Sequence, residues 1–209
     1  MKRVVALAVA VVLLSGCQSI GPTGSMWAVS RSQDQFTDVE TKMVTVGEGL
    51  SDRIILTRSL KYYPFVGIQD GELYVGVRSG GRYRIPTGTV QIRVDSNKAW
   101  TISPDETPIY LAPSTPAATA LPPGTDEKTA ATMAALQAQA MQNITKITSP
   151  YTATTGEKAK TILGEMVRGK TVKFRTVGMN QAASTTGEVP IDASFIEALK
   201  AIGIDPNNI

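Results

Sequence analysis

The sequence predicts a mainly β protein with α additions, an antiparallel β-sandwich or small barrel that carries three helices. Up to residue 111, short segments of alternating apolar and polar residues are separated by turn signals, and roughly six to eight such strands are typical of a sandwich or barrel. After residue 125, three segments instead repeat apolar residues at the period of an amphipathic helix. We expect residues 26–112 to form the β core and residues 126–209 to complete the same domain.

The chain opens with the features of a bacterial signal peptide. Lys2 and Arg3 form a positive start, and an unbroken apolar run covers residues 4–14. A helix of that length spans roughly 16 Å, about half of the ~30 Å hydrocarbon core of a bilayer. The run is therefore too short for a transmembrane helix of the mature protein, and we assign residues 1–16 to a cleaved signal.

The sequence Leu14-Ser15-Gly16-Cys17 resembles the lipobox of bacterial lipoproteins. This resemblance implies cleavage before Cys17 and lipid on both its sulfur and its new amino group, which would hold the protein at a membrane. An ordinary secretory signal with a chance cysteine at its end is the alternative. Gln18, and not Asp, follows the cysteine, which by analogy with enterobacterial sorting implies the periplasmic face of the outer membrane; the inner membrane and the cell surface stay open.

Residue counts exclude several kinds of chemistry. The chain has no His and one Cys, so it cannot form a Ser/His/Asp triad, a His metal site, an intramolecular disulfide or a thiolate cluster. Removing Lys2 and Arg3 with the signal lowers the basic residues from 21 to 19 against 18 acidic ones, a net charge near +1. Without a basic stripe we expect no nucleic-acid partner. Without calcium-loop or P-loop spacing we expect no metal and no cofactor.

The β core is predicted from alternation and turns. Residues 17–25, rich in Gly and Ser, are expected to be a lipidated tether in front of it. The clearest hairpin is centred on Asp70-Gly71, which supplies the positive φ of a tight turn. Residues 90–94 alternate, which predicts an inward aliphatic set and an outward set of Gln91, Arg93 and Asp95. The predicted strands cover residues 27–31, 39–45, 62–69, 73–77, 90–94, 99–103 and 109–111.

The second half of the chain begins with a linker and continues with helices. Four prolines lie within residues 113–125, which predicts an exposed linker. A helix from residue 126 to about 147 then carries a thin apolar stripe. The favoured interpretation of the stripe is a helix packed on its own sheet, and a docking or self-association surface is the alternative. The stripe consists of Met133, Leu136, Ala140, Ile144 and Ile147.

Three further elements complete the prediction. A second helix is expected to be capped by Thr154 with Glu157 and stopped by Gly169. A strand follows over residues 170–177, with Val172, Phe174 and Thr176 inward. A third helix runs from about residue 192 to 202 and ends before Gly203 and Pro206.

Two segments of the body resemble a family of small secreted bacterial β-sandwich proteins. Val90-Gln91-Ile92-Arg93-Val94-Asp95, followed by Trp100 and Ser103, is similar to their "V-x-[YF]-R-[VIF]-D … W … S" core, and residues 169–175 with residues 195–202 are similar to their ending. The family includes the VasI-type accessory proteins of type VI secretion loci and related phage and prophage domains. The resemblance implies a fold and an envelope setting more than an activity. This chain departs from it by lacking paired cysteines and by the long insertion at residues 113–145.

The sequence assigns no catalytic residue. Asp95 and the pair Asp105-Glu106 would serve glycoside hydrolysis only if held about 5 to 9.5 Å apart. We expect Asp105-Glu106 to lie in a turn begun by Ser103-Pro104, and Arg93 to pair with Asp95 on one strand face.

Aromatic residues concentrate between positions 62 and 100, and an outward Tyr/Arg cluster would suit a protein contact. Core tyrosines and ordinary surface tyrosines are the plainer explanation. The candidate binding surface consists of Arg82, Tyr83, Arg84, Arg93 and Asp95.

These observations predict an outer-membrane-anchored periplasmic lipoprotein with a non-catalytic protein-binding or envelope-assembly role, a secretion-associated one included. Its partners would be the membrane, through the lipid, and an envelope protein. Two alternatives stay open. One is a peptidoglycan-acting enzyme or a lysozyme-type inhibitor, and the other is a phage-encoded exclusion lipoprotein that blocks an outer-membrane receptor.

Overall fold

The structure is a computed structural model that describes residues 27–33, 40–46, 61–80, 84–112, 126–177 and 186–209. Within these ranges the chain forms nine strands, three α-helices and two short 3₁₀ helices. The predicted signal peptide, tether and linker lie outside the described residues. The strands are β1 (Trp27–Gln33), β2 (Glu40–Val46), β3 (Lys61–Gln69), β4 (Glu72–Gly80), β5 (Thr89–Val94), β6 (Trp100–Ile102), β7 (Tyr151–Thr155), β8 (Thr171–Val177) and β9 (Thr186–Pro190). The helices are α1 (Glu127–Thr148), α2 (Gly156–Arg168) and α3 (Ala193–Ala201), with the 3₁₀ helices η1 (Pro104–Glu106) and η2 (Ile109–Leu111).

The described strands form two antiparallel sheets. The large sheet has the strand order β1-β2-β3-β4-β7, and the small sheet has the order β6-β5-β8-β9. The predicted class, mainly β with helical additions, is confirmed. The predicted hairpin joins β3 to β4, with Asp70 at φ 51° and Gly71 at φ 81°. Both residues have a positive φ, as the two central residues of a type I′ hairpin turn require.

One hydrophobic core lies between the two sheets and includes the buried faces of α2 and α3. The predicted alternation in β5 is confirmed, since Val90, Ile92 and Val94 are fully buried. The predicted inward residues of β8 are buried as well. Trp27 of β1 packs on Phe195 of α3, with ring centroids 4.7 Å apart. The sheets therefore bury one face each against the same core.

The outer faces of the two sheets differ. On the large sheet, Phe65, Tyr74 and Ala153 form a second buried cluster that is covered by Leu111 of η2. On the small sheet, the outward positions carry polar and charged side chains, and Arg93 is among the exposed ones. The large sheet thus has apolar contacts on both faces, whereas the small sheet presents a polar face to solvent.

Of three local predictions, two are wrong and one is confirmed. Residues 109–111 form η2 and not a strand, because Pro108 stands directly before them and fixes a φ that suits a tight turn. The predicted capping box of α2 is wrong, since Thr155 is the N-cap and makes no side-chain cap bond. Thr154 instead donates its hydroxyl to Glu106 Oε2 at 2.7 Å. The turn expected at Ser103-Pro104 is confirmed, and it carries a capping box of its own with Glu106.

The sequence did not predict β7 or β9. β7 pairs with β4 over five residues, so a strand from the second half of the chain completes the large sheet. The two strands approach closely at Gly76, where an added Cβ would lie 2.1 Å from the carbonyl oxygen of Thr152. Glycine is therefore required at this crossing by space and not by backbone conformation.

Candidate functional site

A groove of about 540 Å³ lies on the outer face of the large sheet. Its walls come from β2, from the segment around η2, and from the residues that follow α1. The groove is therefore built by segments that are distant from one another in sequence. The lining residues are Thr41, Met43, Arg84, Tyr110, Leu111, Ala112, Thr148, Pro150 and Tyr151.

Aromatic rings pack against one another in tilted or edge-to-face arrangements beneath and beside the groove. The Tyr74 and Tyr110 ring centroids lie 6.0 Å apart, and Phe65 lies 5.8 Å from both Tyr74 and Tyr151. The Tyr110 hydroxyl donates to Glu72 Oε2 at 3.0 Å, and burial, followed by this hydrogen bond, raises the Tyr110 pKa. Burial also raises the pKa of Tyr74. Both phenols therefore stay neutral donors at physiological pH.

Arg84 lines the groove and contacts Tyr151, another of its lining residues. Its Nη1 donates to the Tyr151 hydroxyl at 2.9 Å, and its guanidinium lies 5.9 Å from the Tyr151 ring centroid. A Tyr/Arg pair exists at the predicted position, but the tyrosine comes from 67 residues further along the chain. The predicted members Arg82 and Tyr83 lie outside the described residues. Local sequence gives no signal for the Arg84–Tyr151 contact, because it depends on the pairing of β7 with β4.

The apolar stripe of α1 is exposed. The exposed fractions are 52% for Met133, 62% for Leu136, and 54% each for Ile144 and Ile147. The favoured interpretation, in which this stripe packs on the sheet of its own chain, is therefore wrong for the described residues. A different and more polar side of the helix faces the body.

Among the described residues, the buried positions of α1 and its C-cap lie at the C-terminal end of the helix. Thr145 and Ser149 are buried there, and Lys146 Nζ donates to the carbonyl oxygen of Asp105 at 2.7 Å. The next residues, Pro150 and Tyr151, line the groove. The exposed stripe thus ends beside the groove, and we call the two together the helix–groove surface.

The helix–groove surface is apolar and largely uncharged. Residues 129–145 contain no charged side chain. Within the described ranges, the large apolar side chains that are exposed belong to α1 and η2, apart from Ile209 at the end of the chain. Concentration on one surface distinguishes them from the scattered exposed apolar residues of ordinary proteins.

Arg93 and Asp95 lie on a different face of the molecule. The predicted ion pair between them is not formed: Arg93 Nη2 donates to the Ser96 carbonyl oxygen at 3.0 Å. The Asp95 carboxylate instead accepts the backbone N–H of Lys170 at 3.1 Å and that of Thr171 at 2.9 Å. Asp95 has a φ of 47°, which places it in a turn after β5. The structure therefore does not bring Arg93 and Asp95 together with Arg84.

The carboxylates considered for hydrolysis hold structural partners. Glu106 accepts from Lys158 Nζ at 2.8 Å, from the Thr154 hydroxyl at 2.7 Å and from the Ser103 backbone N–H at 3.0 Å. Burial opposes its ionisation, but these hydrogen bonds outweigh burial and lower the Glu106 pKa. Asp105 lies in the same turn and bonds Ser103. In the part of the chain that the structure describes, no group of three His, Cys, Asp or Glu residues is placed to hold a metal ion.

Comparison with known proteins bears on the N-terminus. Residues 1–18 match the model of the prokaryotic membrane lipoprotein lipid attachment site, and the chain's single cysteine lies inside that segment. No curated protein and no solved structure matches the chain, so the resemblance to VasI-type proteins gains no support. Among the described helices, none is both long and apolar enough to cross a membrane. The lipid attachment site at residues 1–18 identifies the chain as a membrane-anchored prokaryotic lipoprotein.

Proposed function

We propose that this protein is an outer-membrane lipoprotein, lipidated on Cys17 and facing the periplasm, that binds an envelope protein without catalysing a reaction. The helix–groove surface carries this proposal. A secretion-associated or other assembly role would use the same surface. The Gln18 residue after the attachment cysteine supports the outer membrane by analogy with enterobacterial sorting.

The exposed stripe supports binding on energetic grounds. Burying a whole Leu, Ile or Met side chain is worth roughly 1.5 to 3 kcal/mol, and each of the four large stripe residues exposes about half of itself. A partner that covers them would thus gain roughly 1 kcal/mol for each side chain. The helix itself also needs support, because a helix attached mainly at one end gains little from the body.

The groove supplies the residue types that anchor protein interfaces. Tyr110, Tyr151 and Arg84 belong to the two types, Tyr and Arg, that are enriched at hot spots. The Tyr110 ring contacts Tyr74 and its hydroxyl bonds Glu72, whereas the Tyr151 ring contacts Phe65 and its hydroxyl accepts from Arg84. Little side-chain freedom is therefore lost on binding. This preorganisation lowers the entropic cost of binding a protein partner.

The test compares two faces of the same helix in living cells. A photo-crosslinking amino acid is placed at Ile144 in the stripe or at Gln142, which lies roughly 160° around the helix at about 100° per residue. We expect a discrete adduct with one envelope protein from position 144 and none from position 142. Equal adducts from both positions, or none from either, would refute a binding role for the stripe.

A second pair of variants connects the groove to the same partner. A crosslinker at Ile109 should capture the protein captured from position 144, and Leu136→Glu should abolish both adducts. Purified protein should also leave peptidoglycan intact. Release of soluble fragments from peptidoglycan would favour the enzyme over the binding module.

A further inference from the structure

The outer face of the small sheet gathers positive charge. Arg93 of β5 is opposite Lys173 of β8, and Gln91 is opposite Arg175 one step along the same strands. Because these four residues share the outward parity of the sheet, they line one shallow groove of about 310 Å³. We call Gln91, Arg93, Lys173 and Arg175 the basic face.

Hydrogen bonds to neutral groups fix the two arginines of the basic face. Arg175 Nε donates to Gln91 Oε1 at 2.7 Å, and Gln91 Nε2 donates in turn to the Thr101 hydroxyl at 2.9 Å. Arg93 Nη2 donates to the carbonyl oxygen of Ser96. Each guanidinium therefore keeps its full charge and several of its N–H groups for an outside acceptor.

One carboxylate lies across from these cations. Glu188 of β9 is 3.8 Å from Lys173 Nζ, whereas the Asp95 carboxylate is engaged by the backbone N–H groups at Lys170 and Thr171. Hydrogen bonds from neutral N–H groups leave the charge of Asp95 in place, so three cations against two carboxylates give this face a net charge of about +1 at neutral pH. The mature chain as a whole has a net charge near +1, so this one face carries about as much net positive charge as the entire mature chain.

The lipid tether joins the body at the edge of this same sheet. The Trp27 indole Nε1 donates to the carbonyl oxygen of Pro190, the last residue of β9, at 2.8 Å, and the Trp27 backbone N–H donates to the Ser194 hydroxyl. Residues 18–26 separate Cys17 from Trp27. That length spans at most roughly 35 Å, so the edge of the small sheet stays within reach of the headgroups.

We propose that the basic face docks on the anionic phospholipid headgroups of the membrane that holds the lipid anchor. Guanidinium groups bind phosphate oxygens through paired N–H donors, and the polar sheet face requires no insertion into the bilayer. Each net positive charge at an anionic surface shifts binding roughly fivefold, so a net charge of about one favours the docked orientation by roughly fivefold. The bias acts within a Debye length of about 8 Å at physiological salt, a distance that the tether allows.

Docking in this orientation positions the other binding surface. The helix–groove surface belongs to the outer face of the large sheet, and the core separates that face from the basic face. A body lying on its basic face therefore presents the helix–groove surface away from the membrane. The proposal depends on the lipid anchor but not on the identity of any protein partner.

The experiment measures which face touches the bilayer. The full lipidated protein is reconstituted in phosphatidylcholine vesicles with or without phosphatidylglycerol, and flotation verifies the anchor in both. Because the single native cysteine carries the lipid, a fluorophore can be attached to an introduced cysteine at Ala99, beside the basic face, or at Gln142 on α1. Lipids with a quencher on the headgroup then report contact.

Quenching at position 99 is expected in anionic vesicles at low salt, with a loss in neutral vesicles and at high salt. Position 142 should stay unquenched throughout. The variant Arg93→Glu/Lys173→Glu/Arg175→Glu should lose the quenching at position 99 while flotation and thermal unfolding stay unchanged, since all three side chains are exposed.

A matched control carries the same charge change on the three helices, Lys128→Glu/Lys160→Glu/Lys200→Glu, and should retain the quenching at position 99. The proposal fails if quenching is the same in neutral and anionic vesicles. It fails equally if position 142 is quenched instead, or if the helix control loses the signal to the same extent as the basic-face variant. Loss of flotation in a variant would point to the anchor, and a failure of the anchor is thereby separated from a failure of the docking face.

Discussion

Glu106 joins three elements, so removing its carboxylate should destabilise the fold in a way that pH can dissect. The side chain receives hydrogen bonds from Ser103, the N-cap of its own helix η1, from Thr154 in β7 and from Lys158 in α2. Glu106→Ala removes the acceptor of all three donors at once. Thr154 is 4% exposed, so its hydroxyl has no access to bulk water as a replacement partner.

The expected magnitude follows from these contacts. The hydrogen bond from the buried Thr154 hydroxyl to the carboxylate is worth about 1.5 kcal/mol. The capping-box hydrogen bond from the Ser103 backbone N–H to Glu106 is worth about 1 kcal/mol. The Lys158 ion pair has side chains 29% and 33% exposed and adds about 0.5 kcal/mol after solvent screening. We therefore expect Glu106→Ala to lower the free energy of unfolding by about 3 kcal/mol at pH 7.

The lowered pKa of Glu106 gives this difference a definite pH dependence. Because the folded pKa lies below the unfolded value of about 4.3, the stabilisation is complete above that value and disappears as pH falls through the folded pKa. The gap between wild type and Glu106→Ala should be constant from about pH 7 down to about pH 5 and should shrink below about pH 4.

Urea unfolding of the detergent-solubilised protein, followed by tryptophan fluorescence, measures both quantities. Glu157→Ala is the matched control, because Glu157 pairs with Lys160 at 2.8 Å but is 88% exposed; its effect should stay within about 0.5 kcal/mol. A loss below about 1 kcal/mol for Glu106→Ala would show that the Glu106 contacts do not stabilise the fold, and a gap that does not change with pH would show that the fold does not favour the ionised carboxylate.

Three further predictions concern single positions. Leu136→Glu should change the free energy of unfolding by less than about 0.5 kcal/mol, because the side chain is 62% exposed; thermal unfolding checks this, and a larger loss would mean that the stripe packs on its own body. Arg93→Ala should cost about 0 to 1 kcal/mol in urea, since the hydrogen bond that Arg93 makes to Ser96 within the described residues is exposed, and a loss of several kcal/mol would reveal a buried pairing. Gly76→Val should prevent the pairing of β4 with β7, because even a Cβ would lie 2.1 Å from the Thr152 carbonyl oxygen; a cooperative unfolding transition with wild-type stability would contradict the close approach.

Local patterns predict the elements whose signals are local. The alternation of residues 90–94 defined the inward face of β5, and Asp70-Gly71 defined the β3–β4 hairpin, because side-chain parity and turn chemistry act over a few residues. β7 escapes prediction for a physical reason. Its sequence, Tyr151-Thr152-Ala153-Thr154-Thr155, is short and rich in threonine, and Thr152 and Thr154 are buried because their hydroxyls donate to the Gly88 carbonyl oxygen and to Glu106, contacts that only the tertiary fold creates.

The candidate site is less accessible to sequence analysis than the fold. The sequence predicts Arg84 as a candidate binding residue but not its contact with Tyr151, because only the tertiary pairing of β7 brings the two together. The stripe of α1 was recognised from its spacing, yet amphipathicity reports only that one side is apolar. Whether the body or another molecule covers that side depends on how the helix is attached, here through Thr145 and Lys146 at its end.

The late position of β7 in the chain has a consequence for folding. Until residue 155 is available, β4 has a bare edge, and the segment Tyr74-Val75-Gly76-Val77 can pair with strands of other molecules. Closing that edge joins segments about 75 residues apart, which slows folding through the entropy of a long loop. The N-terminal strands alone are therefore an aggregation hazard, and a chain truncated before β7 should accumulate as insoluble material and not as a smaller folded domain.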